Sequence, residues 1–322
     1  MAARRSTEGG STLGSHHYPF INNVLRRITR LIFQLHCIAG MDCFYINLDS
    51  AKDRKLHIEE NFAAYKKPGW TLTRFPAIDK AHVERNNIAG AAQPAEKACF
   101  LSHRILMGQH LGDEKTYLIM EDDAAFGART CALVDTLLER IAYLDWDILF
   151  TDCCIANMLT MFELVKRRRD LGEKKIDIEV MDLRGVEFAG STAYIVNGKS
   201  KRKVHKALSA YTNVDLPYDL FLRQLSQSGA LNVHSMFPFV TTVSDYCDDS
   251  QIKTAGPNPV EWALNMFRKM IWIERNLDRC GSALELFRNT WCRDEPPVKI
   301  AGADEEMNTF MFLFSSMAAI RG

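Results

Sequence analysis

Short apolar runs alternate with amphipathic or charged segments between residues 41 and 150, and this alternation predicts strands separated by helices. The runs at 42–48, 70–75, 117–120 and 146–150 are predicted as strands. The segments at 51–65, 94–111 and 130–144 are predicted as helices. Because short strands that alternate with helices build open α/β sheets, we expect a sheet with helices packed on it. Ligands of such sheets bind at the carboxyl ends of the strands.

The rest of the chain has a less regular pattern. Residues 186–196 are predicted as a strand interrupted at 190–192, residues 217–227 as a helix, and residues 237–243 as an extended segment. Helices are also predicted at 260–271 and 282–291, whereas 155–185 and the end after Pro297 have little pattern. These features predict a flexible leader (1–17), an amphipathic helix (18–40), an α/β domain (41–254) and a helical C-terminal extension (255–322).

The predicted helix near the amino terminus has a basic face. Apolar residues recur at three- and four-residue steps between residues 21 and 35, and Arg26, Arg27 and Arg30 occupy the opposite face. Such a helix either packs on the domain or lies on an anionic membrane surface. The sequence leaves both interpretations open.

Composition and charge narrow the function classes. The 322 residues are 47% apolar and 25% charged, and 40 basic residues balance 40 acidic ones, which argues against a dedicated nucleic-acid-binding protein. No apolar run is long enough to span a bilayer, and no secretory leader is recognisable. The nine cysteines are scattered without metal-binding spacing, which is typical of free thiols in a reducing compartment. We therefore expect a cytoplasmic protein, with peripheral contact at the inner membrane as an option.

An acidic triplet, Glu121-Asp122-Asp123, directly follows the third predicted strand. If the chain stays extended, the side chains of Glu121 and Asp123 point to one face and that of Asp122 to the other. With no basic partner predicted nearby, two such carboxylates suit Mn²⁺ or Mg²⁺, which could bridge the phosphates of a nucleotide-sugar. A solvated acidic loop is the other interpretation.

Several motifs occur in an order that resembles glycosyltransferase family 25, which contains lipooligosaccharide and collagen galactosyltransferases. They are the segments 45–49 (YINLD) with Asp53-Arg54, 99–103 (CFLSH), 118–123 (LIMEDD), 190–194 (GSTAY) and 216–219 (LPYD). Each motif is weak alone, whereas the ordered set over residues 41–252 is strong. The chain departs from the family pattern at Lys97-Ala98, where a glycine usually precedes the cysteine.

The resemblance implies a GT-A type fold over residues 41–254 that binds a nucleotide-sugar. It also implies metal-assisted transfer of galactose or glucose from a UDP-sugar, with inversion, to a glycan or glycolipid acceptor. The departure at Lys97 keeps a second hypothesis open, an inactive nucleotide-sugar-binding or scaffolding protein. A third is a metal-independent transferase in which basic side chains neutralise the diphosphate. The residues implied around the donor are Asn47, Leu48, Asp49, Arg54, Ser102, His103, Glu121 and Asp122, with Asp123 and Glu121 as metal ligands.

Inverting transfer needs a base for the acceptor hydroxyl. Asp219 is our first candidate because it opens a predicted helix, whose amino terminus favours an ionised carboxylate. Asp152 and Asp245 are the reserve candidates, and His103 is expected to contact the donor rather than act as the base. The basic run at 166–169 is predicted as a solvated face or mobile loop, with a phosphate grip as the alternative. The apolar stripe around Trp262 is predicted as core or dimer contact.

Overall fold

The apolar runs form the strands of a central sheet in the computed structural model, which describes residues 40–248 and 258–320. The predicted leader and almost all of the predicted amphipathic helix lie outside the described residues. The strands, in chain order, are β1 (Asp42–Asn47), β2 (Thr71–Pro76), β3 (Tyr117–Glu121), β4 (Ala124–Ala125), β5 (Ile148–Phe150), β6 (Cys154–Ile155), β7 (Glu179–Asp182), β8 (Phe188–Ala189), β9 (Ala193–Val196), β10 (Val233–Phe237) and β11 (Thr242–Val243).

Seven strands make one sheet in the order β2-β1-β3-β9-β5-β10-β7. β1 runs parallel to β2 and β3, and β10 runs parallel to β5. β9 is antiparallel to β3 and β5, and β7 is antiparallel to β10. The pairs β4–β11 and β6–β8 form two small antiparallel sheets. The α/β fold class and the four predicted strands of the first half are therefore confirmed.

The helices cover the sheet, and the interior of β3 and the whole of β5 are fully buried because apolar side chains meet helices on both faces. The helices are α1 (Lys52–Tyr65), α2 (Lys80–Arg85), α3 (Pro94–Gln109), α4 (Thr130–Arg140), α5 (Met158–Glu173), α6 (Lys201–Ala210), α7 (Tyr218–Gln227), α8 (Pro259–Ile271), α9 (Leu277–Trp291) and α10 (Glu305–Ala318). Across residues 40–248 and 258–320, every helix is too short or too polar to form a membrane span.

Two weakly patterned regions of the sequence are helices in the structure. Asn157 caps α5 by accepting a hydrogen bond from the backbone amide of Thr160, and Asp304 caps α10 in the same way. The basic run lies on α5, where the Arg168 guanidinium binds the carbonyl oxygens of residues 270–272 at the end of α8. The prediction of a solvated face or loop is therefore wrong for Arg168, whose side chain is only 9% exposed.

The C-terminal helices pack with the sheet in the compact unit that begins at Gly40. On α8, Met266, Phe267 and Met270 are buried in the main core, and Trp262 stacks on Phe287 with ring centroids 4.4 Å apart. The prediction that this stripe is core is confirmed. The helix predicted at 282–291 begins earlier, at Leu277, because Asn276 supplies its cap.

Candidate functional site

β2, the strand that follows β1 in the chain, pairs with one side of β1, and the next strand, β3, pairs with the other side of β1. Strand order reverses there, and the carboxyl ends of the strands open a crevice in which α/β sheets bind ligands. A cavity of about 350 Å³, the first cavity, lies in this crevice between the ends of β1, β2 and β3 and helix α3. The predicted metal ligand Asp123 lines it, together with most of the predicted donor residues: Asn47, Leu48, Arg54, Ser102, His103, Glu121 and Asp122.

A second cavity of about 400 Å³ adjoins the first. Its lining comes from the loop at 190–192, the start of α7 with Asp219, and the α8 residue Arg268. Cys99, Glu121 and Asp123 line both cavities and so form a shared wall between them. Two separate ligands can therefore meet at this wall.

Asp122 connects the end of β3 to α1 and to the end of β1. Its carboxylate pairs with Arg54 at 2.6 Å and accepts a hydrogen bond of 2.7 Å from the Asn47 side chain. Arg54 also donates to the carbonyl oxygen of Tyr246, which ties α1 to the segment after β11. Burial raises the pKa of Asp122, although Arg54 and Asn47 counteract part of that shift. Asp122 lies in the turn after β3, and its carboxylate shares the Arg54 guanidinium with Asp123, so the extended chain assumed for the triplet ends at Glu121.

Asp123 is the buried acid of the shared wall. Its Oδ2 lies 3.3 Å from Arg54, so the expectation that the triplet has no basic partner is wrong. Its Oδ1 is buried and has no hydrogen-bond partner among the described residues. Burial and the neighbouring Glu121 raise the pKa of Asp123 to about 6. A hard divalent cation fits here, because Mg²⁺ is commonly held by one or two carboxylates together with substrate phosphates.

Glu121 faces α3 and the 190–192 loop. Its Oε1 accepts a hydrogen bond from the Ser191 hydroxyl and lies 3.6 Å from His103 Nε2. Burial acts to raise the pKa of Glu121, but His103 and Ser191 outweigh it and hold the pKa below its ordinary value. Glu121 is therefore ionised at neutral pH.

His103 and Ser102 are buried on α3 and make different contacts. His103 Nδ1 lies 2.8 Å from the Tyr194 hydroxyl, and its ring stacks on Tyr218 at 4.2 Å. The Ser102 hydroxyl donates to the Ala98 carbonyl and accepts from the backbone amide of Ile78, both at 2.8 Å. Ser102 therefore fixes the loop after β2, a structural role in addition to the predicted donor contact.

Asp49 and the three candidate bases differ in how exposed their carboxylates are and in whether they line a cavity. Asp49 is exposed and pairs with Arg74 at 2.6 Å, outside the lining of the first cavity. Asp219 lines the second cavity, and its carboxylate accepts from the backbone amides of residues 190 and 220 at 2.7 and 2.9 Å. Asp245 is exposed and pairs with two basic side chains. Asp152 is fully buried against Arg268, which contradicts its assignment as a base for an acceptor.

Sequence reasoning missed Arg268, which is 4% exposed and lines the second cavity. Besides its pair with Asp152, it donates to the Thr192 hydroxyl at 2.8 Å. Arg268 lies in the predicted C-terminal extension, beyond every motif, and no spacing relates it to Asp152. Only its position on a strongly apolar helix could have drawn attention to it.

Comparison with known proteins agrees with this geometry. The family model "Glycosyltransferase family 25 (LPS biosynthesis protein)" matches residues 41–222, more than half of the chain, and this range contains the whole shared wall. No curated protein gives a significant match to the chain. The match covers β1 through the first half of α7, the part of the fold that supplies the whole lining of the first cavity and Asp219 of the second. The chain is thus a member of glycosyltransferase family 25.

Proposed function

We propose that this glycosyltransferase moves a hexose, galactose or glucose, from a UDP-sugar in the first cavity to a glycan or glycolipid hydroxyl in the second. The observation that carries the proposal is the shared wall, since Cys99, Glu121 and Asp123 each line both cavities. Transfer requires the anomeric carbon and the acceptor oxygen to meet within a few ångströms. Two adjoining cavities with acidic groups at their junction meet that requirement.

The donor end combines apolar and polar lining. Ile46, Leu48 and Ile78 supply apolar surface, and Asn47 and Arg54 supply polar groups beside it. This mixture suits a nucleotide, which has a flat base and a charged diphosphate. Arg54 is held in place by Asp122 and the Tyr246 carbonyl, so its positive charge is fixed near the donor. Arg54 also supports the metal-independent alternative.

Metal assistance is proposed at Asp123. Its buried Oδ1, free of hydrogen bonds within the described residues, would hold Mn²⁺ or Mg²⁺. When bound, such an ion neutralises charge on the leaving diphosphate. Arg54 stays on the other oxygen of the same carboxylate and keeps it oriented.

The acceptor hydroxyl would lose its proton to a carboxylate as the new glycosidic bond forms, with inversion at the anomeric carbon. Asp219 remains our first candidate, because two backbone amides orient its carboxylate at the second cavity. Glu121 is the second candidate, since it lies on the shared wall and is ionised at neutral pH. Asp152 is withdrawn because it is paired and fully buried.

The departure from the family pattern, Lys97-Ala98, places only the small apolar residue Ala98 in the lining of the first cavity, which favours an active enzyme over a scaffold. The Lys97 ammonium donates to the Ile88 carbonyl at 2.8 Å, so this side chain is used to hold the loop before α3. Lys97 is not one of the described residues that line the two cavities. Its charge therefore leaves the lining of both cavities unchanged.

A donor panel tests the proposal. UDP-galactose, UDP-glucose, UDP-N-acetylglucosamine and a GDP-sugar are each incubated with the full chain, with Mn²⁺ and with EDTA, and released nucleotide is measured. We expect release from one UDP-hexose, stimulated by Mn²⁺. UDP binding without release from any donor would favour the scaffolding alternative, and equal release in EDTA would favour the metal-independent one.

Contact with an anionic inner membrane stays a prediction from residues 21–35.

A further inference from the structure

Three side chains of different chemistry meet at the shared wall. A ligand atom from each of Cys99, His103 and Glu121 lies within 4.8 Å of the others. We propose that these three side chains form a Zn²⁺ site and that its occupancy blocks sugar transfer. The binding part is independent of the proposed function, whereas the blocking part rests on it.

The fold brings the ligands together. Cys99 and His103 are four residues apart on α3, so they share one face of the helix. Glu121 ends β3, and its Oε1 lies 3.6 Å from His103 Nε2. Thiolate, imidazole and carboxylate are the ligands that Zn²⁺ takes in proteins. Mg²⁺ and Mn²⁺ prefer oxygen, so a thiol and an imidazole select against them.

An independent observation points to a ligand at this position. His103 is completely buried, and its Nε2 has no hydrogen-bond partner in the described part of the chain. A buried polar atom left without a partner is unfavourable, because it has lost its hydrogen bonds to water and gained none in the protein. The nitrogen points toward Glu121, where a cation would satisfy it.

The other side of the imidazole is already fixed. His103 Nδ1 bonds the Tyr194 hydroxyl at 2.8 Å, and that hydroxyl bonds the Tyr218 hydroxyl at 2.8 Å. Zinc-binding histidines usually hydrogen-bond through their second nitrogen, which sets the tautomer and the ring orientation. The Tyr194 contact has this arrangement.

The site would remain open on one side. Cys99 and Glu121 line both cavities, so a fourth ligand position faces the space proposed for the substrates. Three protein ligands and one open position are typical of accessible zinc sites, whereas structural sites use four protein ligands. On binding, the Cys99 thiol releases its proton to water as the sulfur–zinc bond forms, with no oxidation or reduction. Zinc would engage Glu121 and obstruct the junction of the cavities.

Co²⁺ is a spectroscopic substitute for Zn²⁺ and tests the site directly. The reduced, metal-free full chain is titrated with Co²⁺, and the thiolate-to-cobalt charge-transfer absorbance is recorded. We expect the band to saturate at one equivalent, to disappear on adding Zn²⁺, and to be absent in Cys99→Ser. Cys154→Ser, which removes another partly exposed cysteine, is the matched control and should retain the band. Melting temperatures verify that each variant is folded.

Tyr194→Phe tests the support of His103. It removes one hydroxyl and should weaken Zn²⁺ binding by roughly 10- to 100-fold, the usual effect of losing a group that orients a metal ligand.

A band that survives in Cys99→Ser, or no thiolate band in the wild-type protein, would overturn the site. Saturated zinc binding with undiminished transfer would overturn the blocking part. Absence of transfer in the zinc-free protein would contradict the proposed function and leave the site intact.

Discussion

Arg268 on α8 forms a buried ion pair with Asp152, which follows β5 and lies 116 residues earlier in the chain. Its Nε donates to Asp152 Oδ2 at 3.0 Å, and a second nitrogen contacts the same oxygen. Burial raises the pKa of Asp152, and Arg268 counteracts that shift. The pair links a C-terminal helix to the sheet directly behind the second cavity.

We predict that Arg268→Met lowers the free energy of unfolding by about 3–5 kcal/mol, because it leaves a buried carboxylate without its partner. In the variant the folded-state pKa of Asp152 rises further above its unfolded value. The cost is therefore present at neutral pH and diminishes as acid protonates Asp152. Urea unfolding at pH 7.5 and pH 5 measures both effects. Arg279→Met, which breaks an exposed pair with Asp245, is the control and should stay within about 1 kcal/mol of wild type.

Asp123→Asn should lower Mn²⁺-dependent donor turnover without lowering the melting temperature. The folded-state pKa of Asp123, about 6, exceeds the ordinary value of 3.8, so the folded protein binds the proton more tightly and its stability falls as pH rises between these values. Removing the charge should leave the melting temperature at pH 7.5 equal to or above that of wild type. Mn²⁺-dependent donor turnover should fall at least about 100-fold, because a catalytic metal contributes several kcal/mol. Turnover near wild type would refute the metal-ligand assignment.

The same carboxyl group predicts a pH dependence for the wild-type enzyme. As pH falls through about 6, Asp123 takes up a proton and loses the charge that a cation needs. Stimulation of donor hydrolysis by Mn²⁺ should therefore decline below pH 6, while hydrolysis measured in EDTA changes less. Initial rates between pH 5 and 8 at saturating donor provide the check. A flat ratio of the two rates would contradict the role of Asp123.

Asp219→Asn should lower transfer by roughly 10²- to 10⁴-fold, the usual contribution of general-base assistance. UDP affinity should persist, because Asp219 lines only the cavity proposed for the acceptor. The asparagine nitrogen cannot accept from a backbone amide, so we also expect a modest fall in melting temperature. Calorimetry with UDP beside a transfer assay measures both quantities. Asp245→Asn is the exposed control, and a larger loss in Glu121→Gln than in Asp219→Asn would transfer the role to Glu121.

The basic helix predicted over residues 21–35 lies outside the described residues and can be tested separately. The full chain should sediment with phosphatidylserine-containing vesicles more than with neutral ones, and salt should weaken the effect. Replacing Arg26, Arg27 and Arg30 by glutamine should remove the preference and leave donor hydrolysis unchanged. Equal sedimentation of wild type and variant would indicate that this helix is a packing element.

The sequence by itself determined the first half of the fold and the position of the acidic triplet. A strand that is buried on both faces is a short apolar run, so β1, β3 and β5 could be located from local pattern alone. The alternation predicted for the acidic triplet assumed an extended chain, whereas β3 ends at Glu121 and Arg54 contacts both Asp122 and Asp123. By contrast, α5 and α10 were missed, since the basic run at 166–169 and the unbroken apolar run at 310–314 hide the periodicity of a helix.

Only the tertiary structure decided which charges meet. Arg54 lies 68 residues before Asp122, and Arg268 lies 116 residues after Asp152, yet each pair is buried at the site. The tertiary structure also shows that Asp152 is buried against Arg268 and is therefore a poor candidate for the base. It places His103 between Tyr194 and Glu121. Local periodicity records which face of an element is buried, because burial follows the repeat of the helix or strand. The partner of a buried charge depends on the path of the whole chain, and no local pattern records it.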